Sequence, residues 1–198
     1  MGMKSVATLF EDRATVTAPS SASRAPHAVA SVLPATALAL SNELEAASDL
    51  DRVFRVVRKA VRQVLGRERP GLGLALSDLP SGVGAYWPVT GNLIVMNEGI
   101  LATMRRMATS TLEFNSFVFV ILSHEYLHSL GYWGEGPVRT VTAQVTRAAF
   151  GPDHPATAMA EGDLWERFPF LRMSPGGRGR KLRMVKGFDS DATSPYIR

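Results

Sequence analysis

The sequence predicts an α+β domain in which a small sheet packs on helices around one central helix. Three observations carry this. Several segments place apolar residues three and four apart, the helical period. Short β-rich runs separated by turn residues cluster between 71 and 97. The most apolar run, 114–122, continues unbroken into two histidines four residues apart. With 198 residues, 45% of them hydrophobic, the chain is long enough for one domain with a real core and flanking tails.

The elements follow in order. Residues 1–37 are rich in Ala, Ser, Thr and Pro and read as a flexible leader. Residues 38–65 read as helix, with Ser48 or Asp49 as N-cap of its main part. Val53, Val56, Val57, Ala60, Val61 and Val64 make its apolar stripe, Arg52, Arg55, Arg58, Lys59 and Arg62 a solvated face, and Gly66 its end. Residues 71–79 form a short strand. Residues 85–89 and 92–97 form a strand pair around Thr90-Gly91, the second being the core strand. A short helix over 100–108 precedes the central helix at 112–130, which Gly131 stops. Pro137, in a first turn, opens a helix over 137–150. Asp153 caps a last helix over 154–168. The predicted domain spans 38–170. Residues 171–198 read as a basic flexible tail, with six Arg or Lys and no acid between 172 and 186.

The absence of cysteine excludes disulfides, thiolate metal sites and a cysteine nucleophile. No stretch is long and apolar enough for a transmembrane segment. Residues 28–40 are mildly apolar but interrupted by Pro34, a poor signal peptide, so a cytoplasmic location is expected. The net charge of +4 admits an acidic partner, nucleic acid included.

Three of the four histidines lie between 124 and 154, and two of them form His124-Glu125-Tyr126-Leu127-His128, an HExxH motif. Residues four apart share one helix face. Two imidazoles there can grip one Zn2+, and the adjacent glutamate can activate a water held by the metal. The motif follows directly on buried-looking side chains, where a carboxylate and two imidazoles without partners would cost several kcal/mol. A metal offsets that cost.

The segment from His124 to Gly131 resembles the active-site helix of zincin metallopeptidases, and the order of helix and strands over about 48–168 is similar. The resemblance implies a minimal zincin-like domain. It also implies that the strand at 92–97 borders the cleft and pairs with an extended substrate. The third ligand departs from the familiar patterns. Metzincins carry a histidine three residues after the glycine, where this chain has Gly134. Gluzincins take a glutamate from a following helix, and the helix expected over 137–150 has no acid. His154 is therefore taken as third ligand. Glu135 and Glu161 are alternative ligands or groups that orient a ligand histidine. His27 falls in the leader, and Met159 reads as core.

The expected chemistry is zinc-dependent hydrolysis of a peptide or protein substrate, with Glu125 as the catalytic base and then the acid. Tyr132 is the first candidate for an oxyanion donor, beside Tyr126 and Tyr86. The rival reading is a zincin-like binding or regulatory module that contacts nucleic acid or protein through the basic tail.

Overall fold

The structure, a computed structural model, describes residues 32–179 and 181–185. Most of the expected leader, His27 and residues 186–198 lie outside the described residues. The architecture is α+β, as the sequence predicts.

Two helices open the domain, α1 (Pro34–Glu45) and α2 (Leu50–Leu65). The single helix expected over 38–65 is broken at Asp49. This residue is extended, and its carboxylate accepts from the Arg52 backbone N–H at 2.9 Å, so it starts a helix rather than continuing one. The valine stripe of α2 is buried as expected. Its basic face is answered by acids: Arg52 by Asp49, Arg55 by Asp51, Arg58 and Arg62 by Glu68, and Lys59 by Glu43. Such surface pairs are worth about 0–1 kcal/mol each. Their consequence here is local neutrality, the solvated face the pattern suggested.

The sheet has the order β2-β3-β1-β4, with β1 at Gly73–Ser77, β2 at Ala85–Tyr86, β3 at Leu93–Asn97 and β4 at Leu182–Met184. β1 and β3 run parallel in the register Leu74↔Ile94. β2 and β4 add antiparallel on either side. The expected strand pair around Thr90-Gly91 is present, but its first strand stops at Tyr86. Beyond it the Trp87 indole N–H donates to the Gly91 carbonyl at 2.7 Å, so side-chain bonding replaces the ladder. One expectation is overturned: β3 is no free edge for substrate, because β1 and β2 flank it. Among the described residues the edges are β2 and β4.

Asn97 ends β3 and caps α3 (Glu98–Met107), its Oδ1 accepting from the backbone N–H groups of Gly99 and Ile100. The central helix α4 runs Thr111–Ser129. Ser110 caps it, and Glu113 reaches back to accept from the backbone and hydroxyl of Thr109, a variant of the capping box. Every residue from Phe114 to Ser129 is buried. α4 packs against α1 and α2, against β2 and β3, and against α5 (Glu135–Phe150) and α6 (Pro155–Glu161). Asn115 donates from inside this interface to the carbonyls of Leu44 and Ala47, tying the end of α1 to α4.

The last helix expected over 154–168 is two, α6 and the short α7 (Leu164–Arg167), separated by Gly162 and capped by Asp163. Asp153 is not the cap of α6. His154 is, through Nδ1, which accepts from the Ala156 backbone N–H at 3.1 Å. The stretch from 171, read as a tail, adds the end of a 3-10 turn (Pro169–Met173) and the strand β4 to the domain. The chain between them crosses the turn after β1. The Gly177 N–H donates to the Leu79 carbonyl, the Gly179 N–H to the Asp78 carbonyl and the Lys181 N–H to the Asp78 carboxylate.

The crossing is too close for a side chain at Gly177. A Cβ there would collide with the Asp78 carbonyl oxygen and come within 2.5 Å of the Asp78 Cβ. Gly177→Ala is therefore expected to lower stability by about 1–3 kcal/mol, the usual cost of overpacking. A urea-unfolding midpoint equal to that of the wild type would show that the strap does not lie on this turn.

Candidate metal centre

The site is built by one helix, one turn and the first residue of the next helix. α4 places His124 and His128 one turn apart on a single face, at 2% and 3% exposure. Glu125, beside them, is equally buried. After Ser129 the helix closes in a Schellman pattern. The Tyr132 N–H donates to the Leu127 carbonyl and the Gly131 N–H to the His128 carbonyl, with Gly131 at φ 88°. Gly134, at φ 83°, then reverses the chain into α5, which begins at Glu135.

This geometry brings Glu135 back over the histidine pair. His124 Nε2 lies 3.0 Å from one Glu135 carboxylate oxygen, His128 Nε2 lies 3.4 Å from the other, and the two Nε2 atoms are 3.2 Å apart. His124, His128 and Glu135 form the one group of metal-ligating side chains among the described residues. Donors at tetrahedral angles around an ion, with the usual bond lengths near 2.0–2.1 Å, would stand about 3.3 Å apart.

The protonation pattern also suits a cation. His128 Nδ1 lies 3.1 Å from the Tyr132 carbonyl oxygen, which can only accept. A proton therefore sits on Nδ1, and whenever the ring is neutral its Nε2 lone pair faces His124 and Glu135. In the metal-free site burial pushes the Glu135 carboxyl upward, but the hydrogen bonds and charges of His124 and His128 in their protonated forms outweigh it and bring its pKa down to about 2. The first turn of α5 favours the anion further. The group presents two imidazoles and a persistent carboxylate to one point, and so can hold a metal ion.

The other predicted residues go elsewhere. His154 does not join the group. α5 carries the chain roughly 22 Å from Glu135 before His154 is reached. There its ring stacks on Phe150 at 4.5 Å, and burial lowers its pKa from 6.5. Glu161 is held at the surface by Arg147, at 2.6 and 3.0 Å. Tyr132 meets the site through its backbone carbonyl, while its ring lies under Arg67. The Tyr126 hydroxyl accepts from the Arg69 backbone N–H, and its ring packs edge-on against Phe54. Tyr86 is partly exposed on β2, and Met159 is core. Reading Pro137 as the helix start hid Glu135 as a first-turn residue. A glycine followed by an acid, with proline two residues on, was the available signal.

The chain matches no family model, no curated protein and no solved structure.

Two outcomes are expected. Removing one ligand takes away a share of a total metal-binding energy of roughly 10–16 kcal/mol, so Glu135→Ala should weaken metal binding by about a hundredfold or more. His154→Ala should leave binding unchanged. Metal content after chelator dialysis checks both, and loss in the His154 variant alone would reverse the assignment. The second outcome concerns pH. The His154 pKa is depressed in the fold, so its stabilising contribution is complete above the unfolded value near 6.5 and is lost as pH falls towards the folded value. His154→Asn keeps a capping side chain without the titration. The wild type should therefore lose stability relative to this variant between about pH 7.5 and 5. Parallel urea midpoints across that range would contradict it.

Proposed function

We propose that the chain is a metal-dependent hydrolase of the zincin type, a metallopeptidase that uses zinc. The observation that carries the reading is the convergence of His124, His128 and Glu135 beside the buried Glu125 of the same helix. Two histidines of HExxH and a glutamate from the next helix make the gluzincin set. The helix starts at Glu135 rather than at 137, and this supplies the glutamate. Zinc is the prior for two imidazoles and a carboxylate without thiolate.

A bound divalent ion supplies Lewis acidity and lowers the pKa of a water towards about 7. The residues of the chain supply the rest. His124, His128 and Glu135 would hold the ion. Glu125 takes the water's proton and returns it to the leaving amine, the two halves of general acid–base catalysis. His128, held by the Tyr132 carbonyl, keeps its Nε2 lone pair turned to the ligand side. The edge strand β2 packs on α4 and is the element available to pair with an extended peptide.

Glu125→Gln should bind zinc with the stoichiometry of the wild type while peptide hydrolysis falls by about 10²–10⁴-fold. The assay is cleavage of a mixed peptide library by zinc-loaded protein. Undiminished cleavage by the variant would remove Glu125 from the chemistry. No cleavage by the loaded wild type would transfer the reading to a non-peptide substrate.

A further inference from the structure

Two arginines close the end of α4, and they do different things. Arg69 donates to the Ser129 carbonyl, the Gly91 carbonyl and the Asn92 side chain, each at 3.0 Å, and lies over the Trp87 ring. It ties the helix end to the β2–β3 turn. Arg67 donates to the Leu130 carbonyl at 2.5 Å, and its guanidinium carbon stands 5.1 Å from the centre of the Tyr132 ring. Both satisfy carbonyls that a helix end leaves without partners and complement its negative pole. Arg67 is the one of the two whose guanidinium stands over the Tyr132 ring.

Tyr132 is the residue whose carbonyl receives the His128 Nδ1 proton. It sits in a turn that burial does little to hold: Gly131, Trp133 and Gly134 are exposed, and both glycines have positive φ. The Tyr132 N–H to the Leu127 carbonyl already pins its backbone, and a side-chain anchor would fix the direction of the Tyr132 carbonyl further. Arg67 provides one from the opposite wall, immediately after Gly66, where α2 is closed by the Gly66 N–H to the Arg62 carbonyl.

We infer that Arg67 is a positioning residue of the metal centre: by clamping the Tyr132 ring and the Leu130 carbonyl, it holds the Tyr132 carbonyl against His128 Nδ1 and so aims the Nε2 lone pair at the ion. The inference rests on the reading of the His124, His128 and Glu135 group as a metal site. Partners that fix the far nitrogen of a ligand histidine are worth about 10–100-fold in metal affinity. Arg67 acts one step further out, through the partner itself.

The experiment measures zinc affinity by chelator competition in the full chain for the wild type, Arg67→Ala and Arg69→Ala. The urea midpoint of each metal-free protein is recorded alongside. Arg69→Ala loosens the same helix end at the Ser129 carbonyl and, through Trp87, at the Trp133 ring, so it reports what a general loosening of this end does to affinity. Arg67→Ala should weaken zinc by about 10–100-fold, and Arg69→Ala should weaken it far less at a comparable loss of stability. Equal affinities in the wild type and Arg67→Ala, or equal losses in both variants, would overturn the assignment. Should Arg67→Ala not fold, Arg67→Met keeps the apolar stem without the donors and carries the same comparison. A second readout needs no metal: the ¹H–¹⁵N signal of the His128 Nδ1 proton should be visible in the metal-free wild type and lost in Arg67→Ala but not in Arg69→Ala. If the wild type binds no zinc while this pattern holds, the metal reading fails and the positioning stands. If zinc binds and the signal is indifferent to Arg67, the positioning fails and the metal reading stands.

Discussion

Helix α4 has no outer face. From Phe114 to Ser129 each side chain is removed from water, so a neighbouring element must cover every direction around the axis. α1, α2, α5, α6 and the β2–β3 side of the sheet are those neighbours. Burial on all sides also denies solvent to three groups that ordinarily require it: two imidazoles and the carboxylate of Glu125. A buried charge without partners costs far more than one hydrogen bond returns. The fold answers by bringing a second carboxylate, Glu135, against the imidazoles and a backbone carbonyl against His128. The site is thus a consequence of where the helix lies as much as of the motif it carries.

The turn after α4 converts that constraint into geometry. Its two glycines adopt positive φ, the first closing one helix and the second opening the next. The reversal takes few residues, so α5 begins beside the histidines and departs from them. This single feature decides between the candidate third ligands. The first residue of α5 is delivered to the site, and anything beyond its far end is carried away. His154 then takes up local work as a helix cap stacked on Phe150.

Much of this was legible in the sequence because it is written in local periodicity. The valine stripe of α2 follows from spacing, the core strand at 93–97 from a β-rich run beside turn residues, and the central helix from its length and its two histidines four apart. What was not legible depends on φ values and distant partners. Asp49 was legible as the N-cap of α2, but the separation of α1 as a second helix turns on an extended backbone that composition does not encode. Glu135 was hidden by a boundary displaced two residues towards Pro137. β4 reads as basic tail because its residues are exposed, and its partner β1 lies about a hundred residues earlier, as the bond from Lys181 to Asp78 across 103 positions illustrates. Strand pairing at that range leaves no trace in a window of ten residues.

The three candidate ligand side chains span only 11 positions, from His124 to Glu135. Closing so short a loop has a small entropic cost, growing only as about (3/2)RT ln n with its length n. Capture of an ion would therefore require little chain closure beyond that of α4 and its turn. The candidate ligands lie on α4 and the first residue of α5 alone, so their convergence requires only the covering of α4 and not the outer strand β4. An ion that binds partly folded states stabilises the native fold by less than its affinity for the finished site implies, since the reference state shares in the binding. Metal here would act as a nucleus for assembly rather than as a final clasp.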